Sequence, residues 1–101
     1  MNKKNSVIEC KDPLIIHLEN EWKVKAHPYG EENGFKFDTE NHGGYDGTCL
    51  VIGNYYKNKG YKFDMPDPGG MDYYTIYAER DGEKISVRVL FSKEWVIIYF
   101  V

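Results

Sequence analysis

The sequence predicts a mainly β protein: one antiparallel sheet of about six strands, folded as a sandwich or a partly closed barrel. Three observations predict it. Apolar and polar residues alternate with a period of two in several short stretches, as in half-buried strands. Asp81-Gly82 is the signature of a two-residue type I′ hairpin turn. Residues 94–101 are apolar at both parities, which is typical of a strand covered on both faces.

Two short strands are predicted in the N-terminal half. Residues 21–26 alternate, which predicts a half-buried strand. The motif His-Pro-Tyr-Gly at 27–30 then predicts a turn. Residues 34–38 alternate again, so residues 31–34 form the predicted tip of a hairpin. Residues 41–47, with three glycines, predict a loop.

Residues 48–59 keep a second fold class open. We favour a strand here, because the stretch begins Thr-Cys-Leu-Val-Ile and β-branched residues are enriched in strands. As a helix, the stretch has Asp46 as a candidate N-cap and Gly60 as the glycine that follows the last turn. That alternative is an α+β fold with one helix over these residues. Gly53 weakens both interpretations.

The clearest signal surrounds Asp81-Gly82. Residues 65–70, with two prolines and two glycines, predict the loop that precedes it. A two-residue turn fixes the register of its strands. The predicted pairs are Arg80 with Glu83, Glu79 with Lys84, Ala78 with Ile85, Ile76 with Val87, and Tyr74 with Val89. One face of the hairpin is then apolar, and the other pairs opposite charges beside the turn.

A second hairpin, closed at Ser92-Lys93, would place the C-terminal strand beside this one. Val96 and Ile98 would then join the apolar face. The second face would carry an aromatic layer made of Trp95, Ile97, Tyr99, Tyr73, Tyr77 and Leu90. We expect the N-terminal half to cover this layer, since monomers seldom leave a large apolar patch bare. The alternative is that part of it is a binding surface.

Length and composition limit the classes of function that this chain can have. The 101 residues predict a single globular domain over residues 1–101. Nine Tyr, five Phe and two Trp supply enough apolar surface to exclude a disordered chain. The longest apolar stretch is far shorter than the roughly 20 residues of a membrane span, which predicts no membrane partner. The net charge is −3 and the basic residues are scattered, which argues against direct binding of nucleic acid.

The cysteines and the N-terminal residues predict a cytoplasmic protein. Cys10 and Cys49 are too few for a disulfide framework. The first ten residues contain lysines but lack the apolar stretch of a signal peptide. We therefore expect two reduced thiols.

We predict no catalytic residue, no metal site and no cofactor. His17, His27 and His42 are not spaced with one another, or with the cysteines, as metal ligands. Cys49 at a helix start would resemble the nucleophile of papain-like hydrolases, but no histidine follows it. The glycine-rich stretch 42–47 lacks the spacing of a phosphate loop.

The strongest charge feature lies in residues 31–46, which contain five carboxylates and a single cationic residue, Lys36. Carboxylates mixed with tyrosines suit a protein-binding surface, because charge steers a partner and aromatic rings anchor it. The predicted partner-binding residues are Tyr29, Glu31, Glu32, Asp38, Glu40, Tyr45, Asp46, Asp64, Asp67 and Asp72.

In size and composition the chain resembles bacterial toxin-immunity proteins and small phage-encoded inhibitors of host defence. The resemblance includes no motif, so no functional residue is carried over from it. It implies a non-enzymatic inhibitor that covers the active site of a basic partner, such as a toxin nuclease. Two other functions stay open: a structural subunit that forms a homo-oligomer, and a small-ligand-binding β-domain with a tyrosine-lined pocket.

Overall fold

A computed structural model describes residues 11–30, 33–65 and 73–101. The described elements are α1 (Pro13–Trp22), β1 (Ala26–Pro28), β2 (Gly34–Phe37), α2 (Gly44–Asn58), β3 (Lys62–Asp64), β4 (Tyr73–Arg80), β5 (Glu83–Phe91) and β6 (Val96–Phe100). The strands form one antiparallel sheet in the order β1-β2-β6-β5-β4-β3. The described sheet is open, with β1 and β3 at its edges. The mainly β prediction is confirmed in its α+β form.

Residues 48–58 are helical and Lys59 is the C-cap, so the strand favoured from the sequence over 48–59 is wrong. Helix α2 spans Gly44–Asn58 and also takes up the end of the loop predicted over 41–47. Its buried residues recur at helical spacing, and Thr48, Ile52 and Tyr56 all enter the core. Burial of this stripe overrides the strand propensity of the same residues.

Both ends of α2 are marked by a glycine with positive φ. Gly43, with φ +81°, is the N-cap, whereas Asp46 lies in the first turn and does not cap. At the other end, Gly60 has φ +90°. Its N–H bonds to the Lys57 carbonyl, and the Tyr61 N–H bonds to the Tyr56 carbonyl. This is the Schellman arrangement, and it confirms the predicted role of Gly60.

The strand predicted over residues 21–26 is also wrong, because Trp22 ends α1. Asp12 caps α1 by accepting a hydrogen bond from the Leu14 N–H at 2.8 Å, and a proline occupies the first turn. Lys23 then adopts a left-handed conformation with φ 58° and stops the helix. Only Ala26 of the predicted strand lies in β1, which extends through Pro28 into the predicted turn.

A buried carboxylate joins α1 to the sheet edge. Glu19 accepts hydrogen bonds from the ammonium group of Lys11 and, at 2.7 Å, from the N–H of Ala26. Burial by itself raises the pKa of Glu19. The Ala26 N–H and the Lys11 ammonium outweigh that effect and hold the pKa below its usual value.

The hairpin around Asp81-Gly82 has the predicted register at every pair. Both turn residues have positive φ, 49° and 85°, as a type I′ turn requires. The second predicted hairpin is also present, with Val89 opposite Ile98, but Phe91 pairs with Val96 and the Ser92 N–H bonds to the Trp95 carbonyl, so the chain turns one residue later than the predicted Ser92-Lys93. The predicted strand at 34–38 is confirmed as β2. Part of the predicted tip at 31–34 and most of the loop at 65–70 lie outside the described residues.

The two faces of the sheet differ. The helix face carries Phe37, Ile76, Val87, Val89, Val96 and Ile98, all buried with α1 and α2 in one core. Trp22 of α1 packs edge-on against Phe37, with ring centroids 5.0 Å apart. Helix α1 thus covers this face and not the aromatic layer, which we expected the N-terminal half to cover. We call the opposite side, with Tyr73, Tyr77, Arg88, Leu90, Ile97 and Tyr99, the open face, since neither described helix packs on it.

Candidate protein-binding surface

One end of the sheet gathers four of the predicted partner-binding residues. Phe37 at the end of β2 pairs with Val96, which pairs with Phe91 at the end of β5. Tyr45 in the first turn of α2 lies over the same end, with its ring centroid 4.3 Å from that of Phe91. We call this region the acidic end, and it contains Asp38, Glu40, Tyr45 and Asp46, all exposed.

An open cavity of about 410 Å³ lies at the acidic end. Its lining residues are Glu40, His42, Gly44, Tyr45, Phe91, Ser92 and Lys93. The cavity therefore joins the start of α2 to the turn between β5 and β6. It combines aromatic walls with one carboxylate and one ammonium group.

Tyr45 is exposed, yet its ring is held in place. The residue is 43% exposed. Its ring packs on Phe91 and meets the Tyr74 ring edge-on, with centroids 5.3 Å apart. Packing on two sides restricts the rotamers of Tyr45 before any partner binds. An aromatic anchor fixed in this way costs little entropy on association.

His42 forms the floor of the cavity and is only 4% exposed. Its Nε2–H donates to the Ser92 carbonyl at 2.8 Å, and its Nδ1 accepts from the Gly44 N–H at 3.1 Å. The Thr48 hydroxyl donates to the His42 carbonyl at 3.1 Å. These bonds fix the Nε2–H tautomer and occupy both ring nitrogens. His42 therefore ties α2 to the β5–β6 turn and keeps the cavity walls together.

The carboxylates of the acidic end are solvated. Asp38 lies 3.4 Å from the Lys36 ammonium and 3.8 Å from the His27 ring, and its side chain is 58% exposed. Exposed pairs of this kind contribute little to stability. Asp46 lies in the first turn of α2, where the helix dipole favours a negative charge. These groups are accessible to a partner because they are exposed and their contacts within the fold are weak.

The other predicted residues lie elsewhere. Tyr29 follows β1, at the opposite end of the sheet from Asp38, with its ring centroid 6.4 Å from that of Tyr99. Asp64 ends β3 at the far edge of the sheet, opposite Tyr77. Glu31, Glu32, Asp67 and Asp72 lie outside the described residues. The described part of the prediction is thus divided among three places.

Cys49 is buried beneath the first turns of α2. Burial, together with the nearby Asp46 carboxylate, raises the pKa of its thiol to about 11. His17 packs on Tyr55, with ring centroids 5.1 Å apart.

Across residues 11–30, 33–65 and 73–101, no group of three or more His, Cys, Asp or Glu side chains could hold a metal ion.

The sequence reasoning missed the contribution of Phe91, Ser92 and Lys93 to this site. Their distance from Tyr45 along the chain hides them, and only the return of β5 into β6 places them at the start of α2. One available signal was the predicted turn at Ser92-Lys93, which marks a strand end where loops meet.

Comparison with protein-family models, with curated proteins and with solved structures found no match to this chain. Neither described helix is long and apolar enough to cross a membrane.

Proposed function

We propose that this protein is a non-enzymatic inhibitor of the toxin-immunity type, acting in the cytoplasm, which covers the active site of a basic partner with its acidic end. The observation that carries the proposal is Tyr45, an exposed ring held by Phe91 and Tyr74 on the rim of a cavity shared with Glu40. Tyrosine at the centre of an interface is a frequent hot spot.

The charges around Tyr45 supply the rest of the mechanism. Glu40 lines the same cavity as Tyr45, and together with the exposed Asp38 and Asp46 it would attract a basic partner over distances of about one Debye length. Charge of this kind mainly raises the association rate, whereas a buried aromatic anchor mainly lowers the dissociation rate. A basic side chain of the partner would enter the cavity beside the packed Tyr45 and Phe91 rings, next to Glu40.

The test uses the full chain to capture its partner from the native host, after which the partner is purified and association kinetics are measured. We expect the double variant Glu40→Lys/Asp46→Lys to slow association by at least about tenfold at low salt, with the difference shrinking above about 0.5 M salt. Tyr45→Ala should instead speed dissociation by roughly tenfold or more.

A matched control separates the site from overall charge. Glu79→Lys/Glu83→Lys makes the same change in net charge beside the β4–β5 turn, at the opposite end of the sheet. It should leave the dissociation rate unchanged and slow association much less. Equal effects of the two double variants, or tight binding by the Tyr45→Ala variant, would show that the acidic end is not the contact surface.

The cavity volume favours a second candidate, a small-ligand-binding domain, because about 410 Å³ lies within the usual range of ligand pockets. Against it, His42 already uses both ring nitrogens inside the fold. A thermal-shift screen of small anions, cations and aromatic metabolites separates the two functions. A saturable stabilisation that His42→Ala or Tyr45→Ala abolishes would favour the ligand-binding function.

A further inference from the structure

We propose that the open face of the sheet is a second docking surface, for a protein partner that is apolar in the centre of its contact and acidic at the rim. This surface borders the acidic end where Lys36 lies 3.4 Å from Asp38, and it does not depend on the function proposed for the acidic end.

Strand register places aromatic, apolar and cationic residues side by side at the centre of the open face. Tyr73 lies opposite Leu90, Leu90 opposite Ile97, and Arg88 opposite Tyr99. A cavity of about 320 Å³ opens there, lined by Tyr73, Arg88, Leu90, Tyr99 and Val101. Tyrosine, arginine and large apolar residues around a depression have the composition of an interface centre.

The charge of the open face is opposite to that of the whole chain. Its paired strand positions carry the cations Lys36, Lys62, Lys84 and Arg88 and the carboxylates Asp64 and Glu79. Asp38, which lies 3.4 Å from Lys36, adds a third carboxylate, so the net charge is +1, whereas the whole chain carries −3. Folding thus gathers residues that are scattered along the sequence.

Two of these cations lie over aromatic rings. The Arg88 guanidinium is 5.0 Å from the centroid of Tyr73, and the Lys36 ammonium is 5.8 Å from that of Trp95. Among the described residues, no carboxylate is within ion-pair distance of Arg88. A ring beneath the guanidinium fixes its plane while leaving its N–H groups directed outward, ready for a bidentate carboxylate.

These features select one occupant. A second copy of this chain that docked through the same face would bring two positive rims together, which costs free energy. A nucleic acid strand would leave Leu90 and Val101 without apolar partners, although it could stack on the tyrosines. A protein surface with apolar residues in the middle and Asp or Glu around them satisfies both the cavity and the cations.

The test uses three defined probes against the full chain. They are a 16-residue amphipathic helical peptide of Leu and Glu, the same peptide with Lys in place of Glu, and a 12-nucleotide oligouridylate. Binding is followed by amide NMR shifts on β4, β5 and β6. We expect the Leu/Glu peptide to saturate shifts on the open face and to bind about tenfold or more tightly than the Leu/Lys peptide.

Variants locate the binding site. The double variant Lys36→Glu/Arg88→Glu should weaken binding of the Leu/Glu peptide by about tenfold or more, and Leu90→Asp should abolish that binding. The matched control, Lys25→Glu/Lys57→Glu, changes net charge equally on exposed residues away from the open face and should bind as wild type does. The NMR spectrum of each variant must show that the β4–β5 strand pairing is retained.

Four results would overturn the proposal. They are equal affinity for the Leu/Glu and Leu/Lys peptides, absence of saturable shifts on the open face, displacement of the Leu/Glu peptide by oligouridylate at lower concentration, and a stable homodimer that Leu90→Asp dissociates. The third result would assign the face to nucleic acid, and the fourth to a second copy.

Discussion

Burial determines the chemistry of Cys49. With a pKa of about 11, its thiolate fraction at pH 7.5 is on the order of a hundredfold lower than that of a free cysteine, whose pKa is near 8.5. We therefore expect iodoacetamide to modify Cys49 at least about a hundredfold more slowly than free cysteine. The measurement uses a Cys10→Ser background, so that a single thiol is followed by mass spectrometry.

The unfolded chain is the control for this experiment. In denaturant, Cys49 should react at the rate of free cysteine. Fast reaction in the folded protein would show that the thiol is accessible and activated, and would reopen a nucleophilic role.

Gly53 makes a close contact that the sequence did not predict. A Cβ at this position would lie 2.6 Å from the ring of Phe63 on β3. Alanine improves helix propensity by up to about 1 kcal/mol, but the displaced ring costs more. We expect Gly53→Ala to lower the free energy of unfolding by about 1–2 kcal/mol in urea.

A smaller partner should reverse that loss. In a Phe63→Leu background, we expect Gly53→Ala to be neutral or stabilising, because the clash is gone and the propensity gain remains. An equal loss in both backgrounds would mean that the ring of Phe63 is not the cause.

At the level of elements, the Glu19 carboxylate holds α1 against β1. We expect Glu19→Gln to lower the free energy of unfolding by about 1–2 kcal/mol at pH 7, since two charge-assisted hydrogen bonds are weakened. The neighbouring exposed Glu21→Gln is the control and should change stability by less than about 0.5 kcal/mol.

The loss should depend on pH in a defined direction. The pKa of Glu19 is lower in the folded than in the unfolded state, so its stabilisation is complete above the unfolded value near 4.5. It disappears as the pH falls through the folded pKa. Urea unfolding of wild type and variant should therefore converge in strong acid, and a constant difference at every pH would contradict this explanation.

The β4–β5 hairpin depends on its turn. Gly82 has φ +85°, and the space that a Cβ would occupy there is open, so only backbone strain opposes a side chain. We expect Gly82→Ala to lower the free energy of unfolding by about 1 kcal/mol in urea. Lys84→Ala, at an exposed position two residues further on, should have a smaller effect. The reverse order would show that the turn conformation does not limit stability.

At the scale of the whole molecule, the sheet order predicts a gradient of local stability. β5 and β6 are central and carry Val87, Val89 and Ile98, which are fully buried, whereas the edge strands β1 and β3 have three residues each. We expect the β5 and β6 amides to exchange with solvent slowest and those of β3 fastest among the strands, as read by hydrogen-exchange NMR. Uniform protection across the sheet would mean that the edges do not open independently.

The fold also separates charge and aromatic surface into two regions. The acidic end presents Tyr45 among carboxylates, and the open face presents Tyr73 and Tyr99 among cations. The acidic end includes the first turn of α2 and adjoins the open face where Asp38 lies 3.4 Å from Lys36. The two proposed interactions are therefore separated best by variants that leave this pair intact, such as Tyr45→Ala and Leu90→Asp.

The amino-acid pattern was sufficient to specify the register of the β4–β5 hairpin, the presence of the second hairpin and the apolar face they share. These features depend on contacts between near neighbours, where turn chemistry and the two-residue period select one register. Three outcomes required the folded chain: residues 48–58 form a helix, Trp22 ends another, and Tyr29 and Asp38 lie at opposite ends of the sheet. The two helices depend on which stripe of side chains packs beside Phe37 and Phe63, and the third outcome depends on the pairing of β1 with β2. Local propensity contains no information about such partners.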